Sequence, residues 1–154
     1  MENINLREIN ENNFNQVIKL YDGLTDYQKK CVAPNVYSLA EAYANKDRAW
    51  VRTIYLIDKP IGFIMMALWD EDIPKEDLPA YYLWRFMISR EYQNKGFGKK
   101  VLDIIIKKCQ TDKIKTLYVS CEMEEKQPFE FYIKYGFIDT KINDGEQILK
   151  MTFY

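Results

Sequence analysis

The chain has 154 residues, 47% of them hydrophobic, and a net charge of −1 from 22 basic and 23 acidic side chains. This length predicts one domain, residues 1–154, with a core large enough to fold without disulfides. The balanced charge excludes a global field that would attract nucleic acid or an anionic membrane, and no apolar run reaches the roughly 18 residues of a membrane span.

The chain contains three cysteines and no histidine. Cys31, Cys109 and Cys121 show no C-x-x-C spacing, and the start at Met1 lacks a secretion signal, so we expect a reducing, cytoplasmic location. The lack of histidine excludes Ser-His-Asp and Cys-His catalysis and H-E-x-x-H zinc sites. Any chemistry must therefore use Tyr, Asp, Glu, Lys or backbone groups, and we expect no metal.

The N-terminal third predicts one strand followed by short helices. The stretch "INLREIN" alternates from Ile4, and "ENNFNQVIKLYDGL" has helical spacing, with Asn12 or Asn13 as its cap. Pro34 divides "TDYQKKCVAPNVYSLAEAYAN" into two short helices. The second of these is predicted to carry its apolar residues on one face: Val36, Leu39, Ala40 and Tyr43.

The rest of the chain predicts strands with two further helices. "AWVRTIYLI" and "IGFIMMALW" should pair antiparallel through "DKP", and the acidic stretch "DEDIPKEDLP" should be a loop before the strand "AYYLWRFMI". A helix starts near Gly96 and precedes the strand "IKTLYVSC". A short helix, "KQPFEFYIKYGF", precedes two strands joined by "NDG". This order predicts a mixed sheet with helices on both faces.

A lysine-rich loop with two glycines joins the strand "AYYLWRFMI" to the following helix. In "EYQNKGFGKK", Gly96 and Gly98 allow successive backbone N–H groups to point inward, and the first N–H groups of a helix lie at the positive end of its dipole. Three lysines add charge. The pattern predicts a pyrophosphate site at residues 93–100. The alternative is a plain helix-starting turn with solvated lysines.

The spacing Gln93-x-x-Gly96-x-Gly98 resembles the acyl-coenzyme A signature of the GNAT N-acetyltransferases, and "FMISREYQNKGFGKKVLDIII" is similar to that family's core motif. About forty residues further on, "FYIKYGF" resembles the family's tyrosine-bearing helix, which ends in Lys-x-Gly-Phe before a strand. The resemblance covers nearly the whole chain. It implies an α/β (α+β) fold with a mixed, mostly antiparallel sheet of about six or seven strands, flanked by about four helices.

The resemblance also implies acetyl-CoA as the cosubstrate and assigns roles to particular residues. Main-chain groups of Met87 and Ile88 would pair with the pantetheine arm, and an N–H near Met87 would stabilise the oxyanion. Tyr132 would be the general acid that protonates the departing thiolate. The pyrophosphate would bind to the loop formed by Gln93, Asn94, Lys95, Gly96, Phe97, Gly98 and Lys99.

The sequence departs from the family's pattern at three positions. Glu125 stands where an Asn is common, and Pro128 stands where a small Ala is common. Trp84 occupies a position at which some family members carry a carboxylate that serves as the general base. The remaining candidates for the general base are Glu122 and a water chain that leads to the acidic loop.

The distribution of charge and a second resemblance indicate a cationic acceptor. Residues 90–115 hold eight basic and three acidic side chains, whereas residues 70–77 hold five acidic and one basic. The stretches "CVAPNVYSLAEAY" and "YLWRFMI" resemble bacterial spermine/spermidine (diamine) acetyltransferases. We therefore expect a polyamine, attracted by the loop acids Asp70, Glu71, Asp72, Glu76 and Asp77, in a pocket covered by the helix of Asn35, Tyr37 and Ser38. The alternative for the acids is a solvated loop.

Other functions remain open on the same fold. The alternative acceptors are a protein N-terminus or lysine, an aminoglycoside and an amino acid, and a different class of function is a non-catalytic acyl-CoA-binding module. Among partners we expect a small-molecule amine and no nucleic acid or membrane. The C-terminal strands offer an edge for a homodimer.

Overall fold

The computed structural model describes residues 3–124 and 127–153, and its seven strands form one sheet in the order β1-β2-β3-β4-β5-β7-β6. All neighbours pair antiparallel except β4 and β5, which pair parallel. The strands are β1 Ile4–Arg7, β2 Ala49–Leu56, β3 Lys59–Trp69, β4 Ala80–Ile88, β5 Thr116–Cys121, β6 Ile138–Asn143 and β7 Gln147–Thr152. The α-helices of the described residues are α1 Phe14–Lys19, α2 Asp26–Cys31, α3 Asn35–Ala44, α4 Phe97–Thr111 and α5 Gln127–Tyr135. The predicted fold class is confirmed.

Both faces of the sheet are covered, and this explains the unbroken apolar run of β3. Ile64 and Met66 belong to a large core with residues of α4 and α5, whereas Phe63 and Met65 belong to a smaller core with α1. Successive side chains of a strand point to opposite faces. A strand that is covered on both faces therefore needs apolar residues at consecutive positions.

The helix α3 buries a different face from the one predicted. Val36 and Tyr43 are 55% and 79% exposed, and the buried residues of this helix are Asn35 and Ser38. The Asn35 Nδ2 group donates to the Val17 carbonyl oxygen at 2.7 Å. This carbonyl lies near the C-terminal end of α1, where it also accepts from the backbone N–H of Leu20, so the Asn35 side chain adds a second hydrogen bond to this helix end. The inward face of α3 therefore combines Asn35 and Ser38 with Leu39, a residue of the predicted stripe that packs against the smaller core.

The strands β4 and β5 pair only over their first halves. Residues 80–83 pair with residues 116–119. The register of β4 against β3 then shifts at the Met65–Met66 step, so that Trp84 is an extra residue. A bulge of this kind bends the strand and increases its local twist. Beyond Trp84 the two strands separate, and a gap opens between them.

Candidate active site

A cavity of about 460 Å³ occupies the gap between β4 and β5. Its walls come from residues 83–88 of β4, residues 119–122 at the end of β5, the loop before α4, and parts of α2 and α5. Residues 85–88 pair with β3 on one side but have no strand on the other. The free edge of β4 therefore presents backbone N–H and C=O groups to whatever enters the cavity.

Gly62 of β3 holds the free end of β4 in place. It pairs with Ile88, and a Cβ atom at Gly62 would overlap the Met87 carbonyl oxygen and lie 3.0 Å from the Ile54 side chain. The main chains thus approach each other more closely than any other residue would allow. This approach positions the backbone of Met87 and Ile88 at the cavity.

The loop before α4 has the geometry that the glycine pattern predicted. Gly96 is the N-cap of α4 with a φ of +85°, and Asn94 has a φ of +60°. A Cβ atom at Gly96 would meet nothing within 4 Å, so the space in front of the helix is open. The first N–H groups of this 15-residue helix therefore face open space at the positive end of its dipole.

Gln93 fixes this loop to two other walls of the cavity. Its Nε2 group donates to the Ile88 carbonyl oxygen at 2.7 Å, at the end of β4. Its Oε1 atom accepts a hydrogen bond from Gln28 Nε2 of α2 at 3.0 Å. Gln28 also closes the capping box of α2 with Thr25. The glutamine side chain therefore joins strand, loop and helix, and leaves anion binding to the loop's backbone.

The structure brings most of the predicted site residues to one cavity. The described lining residues include Met87, Ile88, Gln93, Asn94, Gly96, Gly98, Lys99 and Tyr132. They do not include Lys95 or Phe97. Phe97 is 2% exposed because its ring packs in the large core, so only its backbone faces the loop, and Lys95 Nζ lies 5.9 Å from the Tyr92 ring centroid. Lys99 forms an ion pair with Asp103 at 3.1 Å.

Tyr132 lies in α5 with its ring buried and 8% exposed. The rings of Phe131 and Phe137 lie 5.3 Å from it, centroid to centroid. Burial, aided by the neighbouring Cys121 and Glu146, raises the pKa of Tyr132 well above the ordinary value of a phenol. The hydroxyl, which is protonated at neutral pH even at its ordinary pKa, is kept in this neutral form by burial.

Two carboxylates line the cavity among its described residues, Glu122 after β5 and Glu146 in the β6–β7 hairpin. Glu146 Oε2 accepts a hydrogen bond from Ser120 Oγ at 3.1 Å. The sequence pattern had suggested Glu122, whereas it gave no reason to choose Glu146. The "NDG" turn predicted the hairpin, but the approach of its end to β5 depends on long-range pairing.

The acidic loop lies elsewhere, at the entry to β4. None of its five carboxylates is among the described lining residues of the cavity. Asp77 is 5% exposed and accepts hydrogen bonds from Tyr118 and, at 2.8 Å, from Lys150 Nζ. Glu71 forms an ion pair with Arg48 at 3.7 Å. The prediction that this loop borders the acceptor pocket is wrong for the described cavity, because the cavity opens at the other end of β4.

The helix that covers the cavity is α2. Tyr27, Gln28 and Cys31 of α2 line it, together with Val32. The predicted covering residues of α3 do not: Asn35 and Ser38 are buried against α1, and Tyr37 is 59% exposed. Pro128 lines the cavity at the start of α5, and Trp84 lines it from β4. Glu125, the other departure from the family's pattern, lies outside the described residues.

The cavity suits the two-part shape of acetyl-CoA. An open helix start with lysines nearby suits a pyrophosphate, and a free strand edge suits the amides of a pantetheine arm. Within residues 3–124 and 127–153, no group of three or more His, Cys, Asp or Glu side chains could hold a metal ion. No helix in the described part of the chain is long and apolar enough to cross a membrane.

Comparison with known proteins identifies the family. Residues 15–137 match the model of the acetyltransferase (GNAT) family. Two curated Bacillus subtilis proteins, named as spermine or spermine/spermidine N(1)-acetyltransferases, are each 32% identical over 78 residues, which is 50% of this chain. The chain spans about half the length of these curated relatives, since the match covers 51% of each.

Solved structures share the whole fold at low sequence identity. The PaiA N-acetyltransferase of Thermoplasma acidophilum, in complex with coenzyme A, has a TM-score of 0.69 and 16% identity, over 98% of this chain and 99% of that one. An aminoglycoside acetyltransferase in complex with coenzyme A and kanamycin has a TM-score of 0.74 and 16% identity, over 97% of this chain and 95% of that one.

The chain belongs to the GNAT family of acetyltransferases. The family predicted from the glycine loop and the tyrosine helix is confirmed.

Proposed function

We propose that this protein transfers the acetyl group of acetyl-CoA directly to a primary amine of a small polyamine, such as spermidine or spermine, within a single domain of residues 1–154. The observation that carries the proposal is the cavity between β4 and β5. One continuous space contains the free strand edge, the open start of α4, the buried Tyr132 and two carboxylates.

The cofactor end of the cavity is formed by backbone groups. Gln93 to Lys99 hold the pyrophosphate through the N–H groups at the start of α4, with lysine side chains adding positive charge. The free edge of Met87 and Ile88 pairs with the amides of the pantetheine arm, as an added strand would. A backbone N–H near Met87 donates to the thioester oxygen as negative charge develops there.

Tyr132 supplies the proton of the leaving group. Acetyl-CoA contributes an activated acyl group on a thiol of pKa about 8.5, and such a thiol leaves more readily when it is protonated. Because burial keeps the pKa of Tyr132 raised, the phenol is protonated throughout the neutral range. It can therefore donate its proton as the C–S bond breaks.

The acceptor end of the cavity favours a cation. Glu122 and Glu146 are its described carboxylates, and they lie on the side of Tyr132 that is formed by β5 and the β6–β7 hairpin. Polyamine nitrogens are protonated near neutral pH and bind to carboxylates. The Bacillus subtilis relatives are named for spermine and spermidine, which supports a polyamine for this chain as well.

An aminoglycoside is the second candidate acceptor. The structural relative crystallised with kanamycin shares the fold over 97% of this chain, and an aminoglycoside is also a polycationic amine. Both candidates require the same cofactor site. They differ in the shape of the acceptor, which is linear in a polyamine and cyclic in kanamycin.

A substrate panel tests the proposal. Purified protein with acetyl-CoA is offered spermidine, spermine, kanamycin and a peptide with a free N-terminus, while free thiol is followed. We expect kcat/KM to be highest for the polyamines. Higher kcat/KM for kanamycin would assign the second candidate, and turnover of the peptide alone would contradict a polycationic acceptor. Binding of acetyl-CoA without turnover of any amine would support a non-catalytic module.

A further inference from the structure

We propose that Glu146 accepts the proton of the attacking amine, and that Ser120 positions its carboxylate for this step. The inference rests on the proposed function, because it assigns the proton acceptor of that same reaction. It concerns a residue of the β6–β7 hairpin, far in sequence from both motifs of the cofactor site.

The hairpin holds Glu146 rigidly at the end of β5. Ser120 pairs with Ile148 and Cys121 pairs with Gln147 in the antiparallel ladder, so the backbone of β7 is fixed beside the cavity wall. Glu146 directly precedes β7. Its Oε2 atom accepts the Ser120 hydroxyl proton at 3.1 Å, which leaves Oε1 available to the cavity. Two separate constraints, the strand register and this hydrogen bond, thus determine where the carboxylate lies.

Glu146 and Tyr132 belong to the same part of the site. Both line the cavity, and the negative charge of Glu146 contributes to the raised pKa of Tyr132. A proton acceptor and a proton donor therefore flank the place where an acyl group would be transferred.

The proton steps balance with these two residues. The acceptor nitrogen, an ammonium near neutral pH, first loses one proton to solvent. The neutral amine then attacks the thioester carbon, the N–C bond forms and the C–S bond breaks. Glu146 takes one proton from the nitrogen, and Tyr132 gives its phenolic proton to the departing sulfur. The phenolate of Tyr132 then recovers a proton from the acid form of Glu146, directly or through water. Amine and acetyl-CoA thus become amide and free thiol, and both residues return to their starting states.

Glu122 is the obvious rival for this role, since it also lines the cavity. Within the described residues, one hydrogen bond, from Ser120 Oγ, holds the carboxylate of Glu146, and none holds that of Glu122. A proton acceptor must be positioned within hydrogen-bond reach of its proton, whereas a group that only attracts a cation needs no fixed geometry. We therefore assign the proton transfer to Glu146 and the binding of the acceptor's positive charge to Glu122.

Chemical rescue tests the assignment with spermidine as the acceptor. Glu146→Ala should lower kcat by about 100-fold or more, and added formate should restore part of the rate by occupying the space of the missing carboxylate. Formate should not rescue Tyr132→Phe. Ser120→Ala should lower kcat less than Glu146→Ala does, and Glu122→Gln should mainly raise the KM of the amine. Each variant is first checked for an unchanged melting temperature and acetyl-CoA Kd.

Asp144→Asn provides the matched control, since it removes one negative charge from the same hairpin at an exposed residue outside the described cavity lining. Its rate should stay within about two-fold of wild type. A wild type that turns over while Glu146→Ala keeps its rate, or loses it without rescue by formate, overturns the role of Glu146 alone. A wild type that acetylates no amine overturns the proposed function and this role with it.

Discussion

The two halves of the β4–β5 pair differ in what lies between the strands. In the first half, residues 80–83 are hydrogen-bonded to residues 116–119, and side chains reinforce the contact. The Tyr82 and Tyr118 rings stack at 6.3 Å, and the Tyr118 hydroxyl donates to Asp77. In the second half the same strands enclose a cavity of about 460 Å³.

In this sheet, the closed half of one strand pair adjoins an open half that can hold a ligand. A free strand edge is costly unless its backbone groups find partners. In this protein the closed half, the Trp84 bulge and the Gly62 contact hold the open half in position without a neighbouring strand. The free edge can therefore stay in position until a ligand supplies the missing hydrogen bonds.

We expect the largest loss of activity from a substitution in the open half that removes a reactive group and keeps the packing unchanged. Tyr132→Phe deletes a hydroxyl and keeps the ring contacts with Phe131 and Phe137. We expect kcat to fall by about 100-fold or more, because the thiolate then leaves unprotonated. Thiol release at saturating substrate measures this, and an unchanged acetyl-CoA Kd shows that the site is intact. A rate within two-fold of wild type would contradict the role of Tyr132.

A smaller effect should follow from loosening the open edge. Gly62→Ala places a Cβ atom against the Met87 carbonyl oxygen, so β4 must move away from β3. We expect a loss of about 1–3 kcal/mol of stability and a raised KM for acetyl-CoA, because the free edge is displaced. Denaturant unfolding and initial rates measure the two effects.

Gly23→Ala is the control for that change. A Cβ atom there would lie 3.8 Å from Ser89 Oγ, which is an ordinary contact. If both alanine variants behave alike, the close approach of β3 and β4 does not position the cofactor site.

A change at the closed half should affect stability rather than chemistry. Burial alone would raise the pKa of Asp77, but hydrogen bonds from Lys150 and Tyr118 outweigh it and lower this pKa. A carboxyl with a lowered folded-state pKa stabilises the protein above its unfolded pKa of about 4, and this contribution is lost as the pH falls further.

Asp77→Asn should therefore lower the free energy of unfolding at pH 7 by about 1–3 kcal/mol and flatten the fall in stability between about pH 5 and pH 3. Urea unfolding across this range measures both, with kcat at pH 7 nearly unchanged. A kcat that falls as steeply as in Tyr132→Phe would show that the two halves are not separate.

The smallest effect should follow from neutralising the exposed acids of the loop before β4. The triple change Asp70→Asn, Glu71→Gln and Asp72→Asn leaves the described cavity untouched. The KM for spermidine should change by less than about two-fold at physiological ionic strength, because salt screens charges beyond the Debye length. A large rise in KM would restore the sequence-based hypothesis that this loop attracts the acceptor.

Local sequence patterns predicted the helices and strands well, because each pattern depends only on a short stretch of chain. The Gly96–Gly98 spacing predicted an open helix start, and α4 begins in this way. Asn13, one of two predicted caps, is the N-cap of α1, although its Oδ1 accepts from the Asn10 N–H and not from within the helix. Helix phase was harder, since the buried face of α3 depends on a hydrogen bond to α1.

The order of strands and helices and the open glycine loop before α4 could be predicted from the chain alone, because periodicity and glycine conformation are local properties. The role of Tyr132 as proton donor is a prediction from the resemblance to the GNAT family, and the absence of histidine is compatible with it. Which carboxylates reach the cavity and which helix covers it depend on the tertiary structure. Glu146 and Tyr132 come together because β7 pairs with β5, and such a contact depends on a long-range register that no short stretch of sequence reports.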